Sequence, residues 1–314
     1  MRVPSIPTPL ARVRVIPIGS AGPEDVFVRD DTVITGVQDG RILRVHPDSG
    51  RVDTLADTQG RPLGIEPLAD GRLLICDSYR GLLALDPDSG RIETLIEEYE
   101  GRPLRFCNNA AVAADGTVYF SDSSRRFSVG NWRDELIEHV ATGRLFRRTP
   151  SGEVDVVADG LQFANGVVLA ADESYALVAE TGAYRIRRVW LTGERAGGTE
   201  VLVELPGFPD NLSTGSDGLT WVAVASLRDR VLDMVVKTPR PVRRAVRAVP
   251  QRLQPAPKRV MRTLAIDPAG RVVHDVAGPG EQFHFVTGVR EAGGQLYFGS
   301  LAEPAIAVAD LPTG

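Results

Sequence analysis

Long apolar runs are missing from this chain of 314 residues. Nothing approaches the roughly 18 to 20 apolar residues of a membrane span. The opening stretch MRVPSIPTPLARVRVIPIG has no long apolar run after Arg2, and so does not read as a secretory signal. Cysteine is nearly absent. Cys76 and Cys107 are too few for a disulfide framework and read as buried thiols, with a reducing cytoplasm as the expected location. The four histidines are scattered without a close pair, which argues against a His-rich zinc site. Neither sign of charge dominates: 36 basic and 41 acidic residues give a net charge of −5, and no global reason to bind nucleic acid. What the chain does have is 43% hydrophobic residues, 32 Gly and 22 Pro, a composition that excludes wholesale disorder.

The glycines and prolines punctuate a repeat. A short strand behind an Asp-Gly-like turn recurs as DGRLLICD (70–77), DGTVYFSD (115–122), DESYALVAE (172–180) and DGLTWVAV (217–224). A weaker copy is DDTVITG (30–36), and a last one is GGQLYFGS (293–300). Each run is rich in β-branched, aromatic and Leu residues, the mark of a buried strand. Asp70, Asp115, Asp172 and Asp217 lie 45, 57 and 45 residues apart. A period of about 40 to 50 residues with several short strands per unit points to a β-propeller, and six landmarks imply six blades. Between them, RILRVHPDSGRVDTL, GLLALDPDSGRIETL and GRLFRRTPSGEVDVV read as outer hairpins whose Pro and Gly fix the turn. The N-terminal RVRVIPIG strand is expected to close the ring on the last blade. The chain thus reads as one all-β domain, 1–314, a six-bladed β-propeller with insertions at 123–142 and 227–262.

In the first insertion, WRDELIEHV has the pattern of two helical turns. The second carries eleven Lys or Arg against Asp229 and Asp233, a local charge of +9 that leaves −14 on the rest of the chain. Five prolines, from Pro239 to Pro257, break it into short pieces. It reads as a solvated loop, as a helical or irregular lid over one propeller face, or as a surface patch in peripheral contact with anionic membrane.

Equivalent positions of a closed repeat point to equivalent places. Counting seven residues back from each landmark gives Glu24, Leu63, Asn108, Asn165, Asp210 and Val286, which should converge near the axis. Four of these are oxygen donors in otherwise apolar or turn-like surroundings: GPEDVFV, RFCNNAAVA, FANGVVLA and FPDNLST. Oxygen donors of this kind suit Ca²⁺, which takes 6 to 8 oxygens at roughly 2.3–2.6 Å. Mg²⁺ asks for a tighter octahedron, and Zn²⁺ for Cys or His. Glu24, Asn108, Asn165 and Asp210 are therefore the expected metal ligands, with Asn109 and Asn211 beside them as supporting or additional ligands.

The segments GRPLGIEPLADGRLLICDSYRGLLALDP, FCNNAAVAADGTVYFSDSS, TGRLFRRTPSGEVDVVADGLQFANGVVLAADES and LPGFPDNLSTGSDGLTWVAV resemble the strictosidine-synthase-like family, which includes the adipocyte plasma-membrane-associated protein. This group looks like a branch of a wider six-bladed superfamily with the paraoxonases and the gluconolactonase/senescence-marker lactonases. The resemblance spans about residues 20–226 and 283–312. It implies Ca²⁺ in the central tunnel, held by a paraoxonase-like quartet that falls on Glu24, Asn108, Asn165 and Asp210, and polarising a lactone or ester carbonyl. Two departures stand out. The positions of the paraoxonase His dyad read Leu63 and, approximately, Asp77. The position of the strictosidine synthase Glu reads approximately Thr287, which cannot relay protons at neutral pH as a tuned Glu can.

The leading expectation is a Ca²⁺-dependent hydrolase of small-molecule lactones or esters, with Glu24 or Asp210 near the attacking water. The alternatives are a C–C or C–N bond-forming cyclase or lyase, and a non-catalytic binding propeller. Asp77, Asp122 and Glu180, taken as ending inner strands, are candidates for a base that is not itself a ligand. Cys107 is a candidate for the tunnel wall.

Overall fold

The alternation of β-branched runs with Gly turns produces what the repeat demands, six four-stranded antiparallel sheets arranged as blades. The computed structural model describes residues 6–250, 253–254 and 256–312. The innermost strands of blades 1 to 6 are Phe27–Arg29, Pro62–Pro67, Cys107–Val112, Ala164–Leu169, Gly207–Thr214 and Val286–Ala292. The ring closes as expected: Ala11–Pro17 pairs antiparallel with Ala305–Asp310 and becomes the outer strand of blade 6. One addition was not legible. Thr8–Pro9 lies parallel to the outer strand of blade 5, giving that blade a fifth strand.

Blades adhere through apolar side chains on facing sheets. Six clusters fill the six gaps. Trp221, Met261 and Phe298 join blades 5 and 6, and Leu43 and Val45 meet Ile306 and Val308 across the closure. Cys76 and Cys107 are buried together in the gap between blades 2 and 3, and both are free. Cys107 therefore belongs to a core and not to the tunnel wall. Burial pushes its thiol up, away from the nucleophilic thiolate.

Near the axis the inner strands bulge. In blades 2 to 5 two residues face one on the neighbouring strand: Leu63–Gly64, Asn108–Asn109, Asn165–Gly166 and Asp210–Asn211. Blade 6 has its irregularity at Thr287. A bulge re-aims a side chain and bends its strand, so the first residue of each pair turns toward the axis while the second stays outside the axial cavity. It also requires close approach of backbones. A Cβ on Gly166 would lie 2.3 Å from Leu212 N and 2.7 Å from Asp210 O of the next blade.

The two insertions leave equivalent places, each between the second and third strands of its blade, blade 3 for 123–142 and blade 5 for 227–262. The first forms helix α1 (Trp132–Glu138), the second α2 (Arg230–Val235) and α3 (Arg240–Arg247). Asp229 caps α2 by accepting from the amides of Val231 and Leu232. The insertions meet over one face of the ring, where α1 packs on α2 and α3. Glu138 of α1 pairs with Arg247 of α3 at 2.6 Å and with Arg126 at 2.8 Å, while Arg243 donates to the Glu138 carbonyl at 2.6 Å. Among the described residues no helix is long and apolar enough to cross a membrane.

The contact at Gly166 yields a test of the axial packing. Gly166→Ala should destabilise the fold by about 2–3 kcal/mol, because the obstructing atoms are backbone and cannot rotate away. Gly130→Ala, whose added Cβ meets nothing closer than 3.6 Å, should stay within about 0.5 kcal/mol of the parent. Denaturant midpoints decide; equal shifts for the two variants would refute the close-packed axis.

Candidate functional site

One residue from each blade reaches a single cavity of about 150 Å³ at the axis, beneath the helices. Glu24, Leu63, Asn108, Asn165, Asp210 and Thr287 lie on its wall, one from each blade. Five of these are the residues found by counting back from the landmarks. In blade 6 the count fails by one: Val286 is fully buried in the cluster between blades 5 and 6, and Thr287 takes its place at the cavity. The reason is the hairpin. Ala292 pairs directly with Gln295 across a two-residue Gly293-Gly294 turn, whereas Val112 and Val118 of blade 3 are joined by five residues.

Each of the four oxygen donors is buried, and each keeps one oxygen without a partner: Glu24 Oε2, Asn108 Oδ1, Asn165 Oδ1 and Asp210 Oδ1. Neighbouring groups hold some of them in place. Asn108 Nδ2 donates to Ser123 Oγ at 2.9 Å, and Ser123 Oγ donates on to the Ala164 carbonyl at 2.6 Å, which fixes the amide's orientation. Asn211 Nδ2 donates to Glu24 Oε1 at 3.0 Å. Asn109 faces the next blade, accepting from Val167 N at 2.8 Å. Asn109 and Asn211 thus support the quartet and lie outside the cavity wall.

Four unpartnered buried oxygens are costly unless something satisfies them. Two carboxylates and two amide carbonyls form the donor set of a hard dication, and the residues fit Ca²⁺ on that ground. Among the described residues no group of three His, Cys, Asp or Glu is placed to hold a metal. Burial pushes Asp210 up to about 8, an effect that Asp25 reinforces. Burial also raises Glu24 well above the usual carboxylate range, with Asp210 and Asp25 adding to it and Arg61 opposing.

The three carboxylates considered as independent bases stand elsewhere. They end the second strand of their blades, not the first, and none lines the cavity. Asp77 accepts from Arg61 N at 3.0 Å, Asp122 from Phe106 N at 2.9 Å and Glu180 from Gln162 N at 2.9 Å. Each clasps the amide that opens its own blade's inner strand. Asp122 is further paired with Arg144, and Glu180 with Arg185 and Arg187. These are structural clamps, engaged within their own blades and away from the cavity.

An aromatic collar was overlooked. Phe106, Phe163, Phe208 and Phe285 line the cavity, each two residues ahead of its blade's axial residue. The signal was in FCN, FAN, FPD and FVT. Phe163 and Phe285 take φ of +60° and +54°, a strained region for a bulky residue. The insertions complete the wall with Trp132, Leu136, Leu232, Val235 and Val246. The result is an oxygen floor beneath apolar sides.

Comparisons with known proteins agree with this architecture. Residues 28–234 match the SMP-30/Gluconolactonase/LRE-like region, and residues 8–45 match the strictosidine synthase-like N-terminal family. The adipocyte plasma membrane-associated protein of Rattus norvegicus is 33% identical over 312 residues, covering 91% of this chain and 82% of its own length. The strictosidine-synthase-like protein 10 of Arabidopsis thaliana is 32% identical over 331 residues, covering 93% and 86%. Among solved structures, a gluconolactonase from Xanthomonas campestris superposes with a TM-score of 0.70 at 19% identity, covering 96% of this chain and 90% of its own. A calcium-binding protein, regucalcin, from Agrobacterium tumefaciens gives 0.66 at 14%, covering 97% and 96%. At these identities the structures speak for the fold alone.

The raised carboxyls carry a sign that can be measured. Asp210 is raised from an ordinary 3.8 to about 8, so its protonated form stabilises the metal-stripped fold. That contribution is complete below the unfolded value and is lost as pH rises through about 8. In chelator the melting temperature should fall from about pH 4 to about pH 8 and level off above it, and Asp210→Asn should flatten the slope. Saturating Ca²⁺ should remove it, because the cation binds the deprotonated form. A chelated wild type whose melting temperature is level or rising over that window would contradict the assignment.

Proposed function

Because the chain belongs to the SMP-30/gluconolactonase/LRE-like family, in its strictosidine-synthase-like branch, we propose that it is a Ca²⁺-dependent hydrolase of lactones or esters with an apolar body. The observation that carries this reading is the set of unpartnered oxygens on Glu24, Asn108, Asn165 and Asp210 at the floor of one apolar cavity. These four would hold the cation, whose contribution when bound is Lewis-acid polarisation of a carbonyl.

The chain's own residues supply the rest. The phenylalanine collar and the helices of the insertions exclude water around the substrate's hydrocarbon and orient its one polar end to the floor. Glu24 and Asp210 are the carboxylates at that floor, and one of them takes the proton of the attacking water. Asn211 holds Glu24 from behind through Oε1, leaving Oε2 toward the cavity. A largely apolar wall suits an alkyl or aryl lactone better than a polyhydroxylated sugar lactone, whose hydroxyls would find few partners beyond Arg133, Thr181, Ser226, Asp229 and Gln254. The condensation alternative is weakened at Thr287. Its hydroxyl donates to the Glu24 carbonyl at 2.7 Å, so no acid–base group stands there.

The test is a panel of alkyl lactones, aryl esters and a sugar lactone in added Ca²⁺. Wild type should turn over the apolar members, and Asn165→Ala should lose at least about 10-fold in kcat/KM. Phe208→Ala should act mainly through KM. If no panel member is turned over above the Asn165→Ala level, while Ca²⁺ still raises the wild-type melting temperature, the hydrolase reading fails and the binding or cyclase alternatives lead.

A further inference from the structure

The outward face of the second insertion differs from the rest of the surface. Ten large hydrophobic side chains are exposed among the described residues, and five of them, Val231, Met234, Val242, Val249 and Leu253, fall within 231–253. Met234 is 62% exposed and Leu253 69%. Between them stand Arg230, Lys237, Arg240 and Arg244, exposed and without a carboxylate within 4.0 Å among the described residues. The inner basic residues are spent within the fold: Arg247 on Glu138, Arg228 on Glu204, Arg262 on Asp275. The acidic residues of the segment, Asp229 and Asp233, are only half-exposed, and Asp229 is engaged at its helix cap.

We propose that this face docks on an anionic lipid surface, the apolar side chains entering the headgroup region and the four free cations meeting lipid phosphates and carboxylates. Charge decides the occupant. The segment carries +9 on a chain that is otherwise −14, so a second copy docked face to face would set one basic patch against another, whereas an anionic bilayer offers a continuous opposite charge. Short amphipathic helices with Lys or Arg beside exposed Val, Met and Leu are the side chains that lie in such an interface. The docking also has a consequence for access. Val231 is exposed and lines the cavity as well, so the mouth opens at the docked face.

The probe is vesicle co-sedimentation of the full chain, with phosphatidylcholine alone and with about 30% phosphatidylserine. Binding should require the anionic lipid at about 0.1 M salt and vanish near 1 M, where the Debye length falls from about 10 Å to about 3 Å. Arg240→Gln with Arg244→Gln should weaken it about 30-fold, taking about 1 kcal/mol for each basic residue. Met234→Ser with Leu253→Ser should weaken it while leaving the salt dependence in place. All four side chains are exposed, and unchanged melting temperatures would show that the variants are folded. The proposal is overturned by equal binding to both vesicles, by no binding to either, or by anionic binding that both double variants retain. Concentration-dependent dimerisation abolished by Leu253→Ser would overturn it too, by assigning the face to a second copy. None of these readings depends on turnover.

Discussion

Two carboxylates and two amide carbonyls, each with an oxygen that the protein itself does not satisfy, are brought to one point on the axis of the ring. Burying such groups is unfavourable, and the surrounding structure can be read as what makes it tolerable. The bulges turn the side chains inward. Gly166 and Gly288 let the neighbouring blade come close enough: a Cβ at Gly288 would lie 2.8 Å from Asp25 Cα and 2.9 Å from the Glu24 carbonyl. Ser123 and Asn211 hold the side chains of Asn108 and Glu24 from outside the cavity, and Thr287, on the cavity wall, holds the Glu24 backbone. Such fixed orientation is what a binding or catalytic floor requires, since a donor that rotates is worth little.

Above this floor the chemistry changes abruptly. The collar positions precede the axial positions by two residues, so one strand pattern sends an aromatic ring and an oxygen donor to successive depths of the same cavity. The clasping carboxylates explain how two members of the collar are kept in place. Asp122 binds the amide of Phe106 itself, and Glu180 the amide just ahead of Phe163. A substitution at Asp122 is thus expected to act on the site through position and not through chemistry.

The fold was legible because a propeller repeats its turn and strand signals, and because sheet packing needs only the right residue classes at the right spacing. The axial register was legible in five blades for the same reason, and failed at Val286 because the short Gly-Gly turn puts that blade's landmark six residues after its axial residue instead of seven. The parallel strand Thr8–Pro9 escaped because two residues carry no pattern. Asp77, Asp122 and Glu180 invited a catalytic reading as isolated acids after apolar strands. Their role depends on which backbone amide lies across the blade, a tertiary fact that no local window contains. The collar was visible as a repeated Phe and was passed over because an aromatic beside a strand ordinarily means core.

Charge accounts for the last feature of the site. Glu24 and Asp210 together offer two negative charges, and the amides of Asn108 and Asn165 add none. A dication would leave the floor neutral, whereas a monovalent ion would leave a buried negative charge. Repulsion between the two carboxylates, and from nearby Asp25, raises the cost of ionising both without a cation. Arg61 attracts only from one side, with its guanidinium donating to the carbonyls of Gly22 and Pro62. On the far side of Asp25, Arg290 reaches Glu66 at 2.8 Å and the Val26 carbonyl at 3.3 Å, tying blade 6 to blades 1 and 2. That guanidinium is held among backbone and Glu66 and does not line the cavity. The fixed cations near the axis therefore soften the charge on the floor without cancelling it, and the remainder would favour a dication there over a monovalent ion.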